Sequence, residues 1–191
     1  LLGPSELALR LLPLLAGLAA LALFWHLART TLGPRPAALA VGLLAVARWP
    51  VTMCTSVKPY SFDLFFSLAL LVAAVHYLRR PERVGWLALL ALLVPVAVLS
   101  SYPAAFVAGG ITLALLPSVW RRGWDGRAWF VAYNLLMLGT FLGNYLLVGT
   151  QQLDPATGSV GRYMQHYWRD GFPPADPWSL PAWLMTISSG R

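Results

Sequence analysis

Six long apolar runs, separated by short polar segments, make up most of the chain. Each run has about the length that an α-helix needs to cross ~30 Å of hydrocarbon. The pattern predicts an all-α protein, a polytopic transmembrane helix bundle with about six spans in residues 1–148. The predicted spans are 7–27, 36–54, 61–78, 84–100, 104–120 and 128–148.

The composition agrees with this pattern. Of 191 residues, 58% are hydrophobic and 11% are charged, whereas a soluble domain has roughly 25% charged residues. The net charge of +7 raises the question of nucleic acid, but the basic residues lie in short loops between the apolar runs. We therefore expect a lipid bilayer as the surroundings and no nucleic-acid partner. The single cysteine, Cys54, excludes an intrachain disulfide.

The placement of arginine predicts the orientation of the bundle. Eight arginines fall in the short segments 29–35, 79–83 and 121–127. Short loops rich in Lys and Arg face the cytoplasm. We therefore expect these three loops on the cytoplasmic side, and the segment around Lys58 and the tail from Gly149 outside the cytoplasm.

Polar groups at the start of the third run form the first candidate site. Lys58, Tyr60 and Asp63 lie at the mouth of the run that begins at Ser61. Ionisable groups at membrane depth are costly and usually line a cavity, which makes them functional candidates. Lys58 and Tyr60 are equally well explained as interfacial anchors, whereas the short stem of Asp63 does not reach far toward the interface.

Arg48 lies inside the second run, about two turns from its predicted extracytoplasmic end. A structural role would be an ion pair with Asp63 across the loop 55–60. A functional role would be to hold a lipid-linked phosphate with its bidentate guanidinium fork. Both roles predict that Arg48 and Asp63 lie near each other and face the protein interior.

The tail, 149–191, differs in composition and is predicted to be an extracytoplasmic loop rich in aromatic residues. Aromatic rings alternate there with polar groups and prolines. His166, Arg169 and Asp170 are candidates for binding a sugar substrate. An interfacial helix held by Tyr163 and Trp183 is the alternative interpretation.

No metal-ligand spacing is present in the sequence. We expect His26, His76 and His166 to lie far apart on different faces, so no metal ligand is assigned. No cofactor is assigned either, although a divalent metal stays open as a candidate. A phosphate-binding glycine loop and a nucleophile elbow are also missing from the sequence.

Three short motifs resemble the polytopic GT-C glycosyltransferases, in particular protein O-mannosyltransferase-like and aminoarabinose-transferase-like enzymes. The motifs are SELALRLLP at 5–13, LARTTLG at 27–33 and KPYS at 58–61. The stretch YWRDGFPP at 167–174 is similar to a loop of bacterial members. Arg48 departs from the family pattern, which has a small or uncharged residue there.

The resemblance implies an integral-membrane glycosyltransferase of the bacterial inner membrane. It would move a sugar from a polyprenyl-phosphate donor to an extracytoplasmic protein, lipid or glycan acceptor. Lys58, Arg48 and Tyr60 would bind the donor phosphate, and Asp63 is a candidate catalytic or orienting carboxylate. The family's main carboxylate is expected upstream of Leu1, because we expect this chain to be part of a longer protein.

A transporter or a non-catalytic membrane scaffold is the alternative class. Proline-interrupted helices and intramembrane charge also suit a transporter. A transporter is expected to show internal repeats, and the sequence has none that we detect.

Overall fold

The computed structural model describes residues 6–55, 60–121, 123–149, 163, 174 and 176–188. These residues form helices and contain no strand, so the predicted all-α class is confirmed. The helices are α1 (Glu6–Leu32), α2 (Pro34–Val46), α3 (Arg48–Thr55), α4 (Tyr60–Arg79), α5 (Gly85–Ser100), α6 (Tyr102–Trp120), α7 (Trp124–Asn144) and α8 (Leu180–Ser188). A π-helical turn, Tyr145–Gly149, and a 3-10 turn, Pro177–Ser179, complete the described elements.

The number of membrane spans is lower than the sequence predicts. Four described helices are long and apolar enough to cross a membrane, or five if α2 and α3 count as one bent span. The prediction of about six spans fails at α5. Its 16 residues extend only ~24 Å at 1.5 Å per residue, which is less than the ~30 Å of a hydrocarbon core.

Single residues connect three of the described helix pairs, and two of these residues, Gly33 and Ser101, show how the chain makes the turn. Gly33 joins α1 to α2 with a φ of 88°, a left-handed conformation that glycine adopts without the usual steric penalty. Ser101 joins α5 to α6, and its buried side chain accepts a hydrogen bond from the Ala104 amide at 3.2 Å. Such a serine cap satisfies one of the free amides at a helix start, so Ser101 both forms the α5–α6 connection and caps the start of α6.

The chain divides into two compact units, Leu1–Leu142 and Gly143–Arg191. In the first unit α4 is central, because it packs against α1, α3, α5 and α6. Its core is apolar and close-packed, with Tyr77, Leu90, Val94 and Leu115 fully buried. In the second unit α8 follows the 3-10 turn and presents Leu184, Met185 and Ile187 on its exposed surface.

The three arginine-rich loops lie at the same end of the first unit. The Arg79 guanidinium donates a hydrogen bond to the carbonyl of Thr30. On the other side of the same turn, Pro81 and Glu82 line a cleft together with Gly123 and Asp125. The structure therefore groups these loops as the sequence predicts, while the assignment of this end to the cytoplasm stays a prediction.

Candidate functional site

The segment that carries the predicted donor site begins at a break in the second apolar run. α2 ends at Val46 and α3 begins at Arg48, with a bend of 59° between them. Ala47, the residue between them, has an extended conformation (φ −66°, ψ 123°). The predicted span 36–54 is therefore two helices with a corner at Ala47.

This corner changes the environment of Arg48. Arg48 is the first residue of α3 rather than a position inside a straight span, and its side chain is exposed. Asp63 is half-buried in the first turn of α4. No ion pair joins Arg48 to Asp63 in the part of the chain that the structure describes. The expected interior pair is therefore not found there.

Asp63 has a structural explanation that does not require Arg48. The first turn of a helix carries a partial positive charge, and a carboxylate there is stabilising. Asp63 is the acidic residue of the first turn of α4. Tyr60, at the start of the same helix, is 48% exposed.

The start of α4 is fixed against α3 by a side-chain hydrogen bond. Ser61 is 3% exposed, and its hydroxyl donates to the carbonyl of Met53 at 3.3 Å. This contact holds the first turn of α4, with Tyr60 and Asp63, next to the last turn of α3. Lys58 lies in the connection 56–59, outside the described residues. His166, Arg169 and Asp170, in the tail, also lie outside the described residues.

An apolar cavity adjoins this segment. Its volume is about 200 Å³, and four helices contribute to its wall. Leu64 follows Asp63 directly, and Pro50 and Val51 lie two and three residues after Arg48. The lining residues are Leu14, Gly17, Leu18, Leu21, Leu44, Ala45, Pro50, Val51, Cys54 and Leu64.

One wall of the cavity depends on a close approach of α1 to α3. A Cβ atom added at Gly17 would clash with the Sγ atom of Cys54 and lie 3.3 Å from its Cβ. By contrast, a Cβ at Gly109 or Gly110 would meet nothing within 4 Å. Among the described residues, Gly17 therefore makes a helix contact that requires glycine, whereas Gly109 and Gly110 do not.

A second polar cluster lies at the opposite end of α4, and it corrects the prediction that the histidines are far apart. His26 of α1 and His76 of α4 stack with ring centroids 5.0 Å apart and ring planes 10° apart. Their Nε2 atoms are 3.2 Å apart. Both residues lie near the predicted cytoplasmic ends of their spans. This shared position is the feature of the sequence that indicates their proximity.

The hydrogen-bond contacts of the pair favour one combination of tautomers. His76 Nδ1 lies 2.9 Å from the carbonyl of Val72. A carbonyl only accepts, so this nitrogen donates. With this proton on Nδ1 and none on Nε2, His76 would accept at Nε2, and the tautomer of His26 that matches the 3.2 Å contact carries its proton on Nε2. In the described part of the chain, no group of three His, Cys, Asp or Glu residues is placed to hold a metal ion.

These features are those of an integral membrane protein that is all-helical and polytopic and that has polar groups at both ends of a central span. The family model for dolichyl-phosphate-mannose-protein mannosyltransferases matches residues 1–145. The chain belongs to this family and is a membrane glycosyltransferase of the GT-C type. No curated protein and no solved structure matches the chain.

Proposed function

We propose that this protein transfers a sugar from a polyprenyl-phosphate donor to an acceptor outside the cytoplasm. The observation that carries the proposal is the family match over residues 1–145, which covers the whole segment that borders the apolar cavity. A lipid-linked sugar donor and a protein or glycan acceptor follow from the family. The polyprenyl carrier and the bacterial inner membrane are our own extension.

The cavity supports a donor with a hydrocarbon tail. Its lining is almost entirely aliphatic, and burial of apolar surface is favourable and non-directional. An apolar cavity of ~150 Å³ is large enough to admit benzene, so about 200 Å³ has room for a short part of an isoprenoid chain. The start of α4, which carries Tyr60 and Asp63, adjoins this cavity through Leu64.

We assign the donor phosphate to the groups at the two ends of α3, which are Arg48 at its start and the α3–α4 connection with the first turn of α4 at its end. Lys58 and Arg48 would supply positive charge to the phosphate, and Tyr60 would position it. Charge-assisted hydrogen bonds to phosphate are about twice as strong as neutral ones. Asp63 would orient these cations or accept a proton.

In the reaction, a hydroxyl or amine of the acceptor attacks the anomeric carbon of the sugar. The new glycosidic bond forms while the bond from that carbon to the phosphate oxygen breaks. A carboxylate takes the acceptor proton, and the cations stabilise the negative charge that develops on the leaving phosphate. We place His166, Arg169 and Asp170 with the sugar or acceptor.

Lys58→Ala in the full-length protein tests the assignment. If Lys58 contacts the phosphate mainly as it leaves, the variant loses about ten- to a hundredfold in kcat. Lys58→Arg keeps the charge but recovers activity only partly, because a planar fork and a point charge contact phosphate differently. Turnover is measured at equal membrane abundance.

Arg35→Ala is the matched control, since Arg35 is an exposed basic residue at the start of α2 and belongs to a different loop. It is expected to transfer sugar at the wild-type rate. Wild-type turnover of Lys58→Ala would show that Lys58 is only an interfacial anchor.

A further inference from the structure

A basic cleft lies at the end of α4 opposite Tyr60 and Asp63. Its volume is about 640 Å³, and its walls come from the end of α1, the end of α4 and the start of α5. Three of its residues are arginines in one tight turn. The lining residues are Thr30, His76, Arg79, Arg80, Arg83 and Trp86.

The arginines of the cleft are free of carboxylate partners in the described part of the chain. Glu82 lies in the same turn, but it lines a neighbouring cleft together with Asp125. The acidic and basic side chains of the turn therefore border different spaces. The cleft receives three positive charges and no carboxylate from the described residues.

The contacts inside the cleft leave donors available. Arg79 uses its guanidinium to reach the Thr30 carbonyl, yet a guanidinium has five N–H donors. Arg80 and Arg83 are exposed. Trp86 packs against His76 with ring centroids 4.5 Å apart, which keeps the aromatic wall in place.

The start of α5 brings no negative charge to the cleft. Its first turn contains no acidic residue. The amides of Trp86 and Leu87 donate to the carbonyls of Arg83 and Val84, so the positive charge of the cleft comes from the arginines.

The level of the cleft relative to the membrane spans indicates which kind of anion it binds. α1 and α4 both contain candidate membrane spans, Arg10–Leu32 and Tyr60–Arg79, and both spans end at this cleft. The end of a span lies at the level of the lipid headgroups. Basic pockets between membrane helices at this level bind anionic lipid headgroups.

We propose that the cleft formed by Arg79, Arg80, Arg83, His76 and Trp86 binds the phosphate of an anionic phospholipid headgroup. This site is separate from the proposed donor site, which lies at the other end of α4. It would anchor the protein in its leaflet and hold the ends of α1, α4 and α5 together.

The test compares two charge-matched double variants of the full-length protein. Arg80→Gln/Arg83→Gln removes two cleft charges and spares Arg79, whose contact with Thr30 joins α4 to α1. Arg35→Gln/Arg121→Gln removes two exposed basic charges that do not line the cleft. Native mass spectrometry measures the retention of phosphatidylglycerol and of phosphatidylcholine by each protein in detergent.

We expect the wild type and the control variant to prefer phosphatidylglycerol. The cleft variant is expected to bind it at least about tenfold more weakly, with phosphatidylcholine unchanged. Equal retention by the two double variants would overturn the proposal. Displacement of phosphatidylglycerol by millimolar inorganic phosphate would assign the cleft to a free anion and would also overturn it.

Discussion

At the scale of the residue, the clearest finding is the contact between Gly17 and Cys54. The sequence shows that both residues lie in apolar runs, but it does not show that they touch. Their contact depends on the corner at Ala47, which turns α3 toward α1. A break in a helix redirects every side chain after it, so sequence periodicity alone does not predict such a contact.

Gly17→Ala is therefore expected to destabilise the protein. The added methyl group clashes with Cys54, and overpacking of this kind costs about 1–3 kcal/mol. Gly109→Ala is the control, because its Cβ would meet no atom within 4 Å and alanine favours a helix over glycine. Thermal unfolding in detergent should show a Tm that is lowered by Gly17→Ala and is not lowered by Gly109→Ala.

A second substitution checks the cause of that loss. Gly17→Ala/Cys54→Ala removes the sulfur atom that clashes, so it should recover most of the lost Tm. If the double variant unfolds no later than Gly17→Ala, the steric explanation is wrong.

At the scale of the element, the apolar runs predict where most helices lie. The reason is that the backbone N–H and C=O groups of such a run find no water in a membrane and must form hydrogen bonds within the run. The boundaries are less predictable. The first span was predicted to end at residue 27, but α1 continues to Leu32. Thr30 and Thr31 lie in this last turn, where their hydroxyls donate to the carbonyls of His26 and Leu27, four residues earlier. Gly33 then ends the helix.

The sequence also does not reveal which polar side chains form hydrogen bonds between helices. Tyr133 is fully buried, and its hydroxyl donates to the Ala108 carbonyl on α6 at 2.8 Å. Next to it, the Thr112 hydroxyl lies 2.8 Å from the Oδ1 of Asn134. The sequence places an asparagine in the last span, but its partner is known only from the packing of α6 against α7.

Tyr133→Phe is expected to weaken the α6–α7 contact. Side-chain hydrogen bonds between membrane helices contribute about 0.6 kcal/mol on average and about 1.7 kcal/mol at most. Tyr102→Phe is the control, since Tyr102 is 58% exposed. Chemical unfolding in mixed micelles would measure both, and equal stability of the two variants would show that the Tyr133 hydrogen bond contributes nothing.

At the scale of the whole molecule, the sequence predicts the fold class and the grouping of the arginine-rich loops. It does not predict the bend at Ala47, the shortness of α5 as a span, the apolar cavity or the His26–His76 pair. Each of these depends on how helices that are distant in sequence pack together. Of the candidate site, Tyr60 and Asp63 lie in the first turn of α4, whereas Arg48 lies at the other end of α3, next to the corner at Ala47. The expected pair of Arg48 with Asp63 is not found among the described residues.

The orientation of the bundle is open to a direct experiment. With Cys54→Ser as background, Glu82→Cys should react with a membrane-impermeant thiol reagent only from the cytoplasm. Thr157→Cys should react only from outside, because the arginine-rich loops and the tail are predicted to lie on opposite sides. Labelling of both positions from the same side would contradict this orientation.

The central claim, that the protein takes its sugar from a lipid carrier, is tested by donor choice. The purified full-length protein is given a labelled polyprenyl-phosphate sugar or the corresponding labelled nucleotide sugar, with a mixture of protein and glycan acceptors. We predict label in the acceptor only with the lipid-linked donor. Transfer from the nucleotide sugar in the absence of any lipid carrier would contradict the account, and so would a correctly inserted protein that uses none of the lipid-linked sugars of its own membrane.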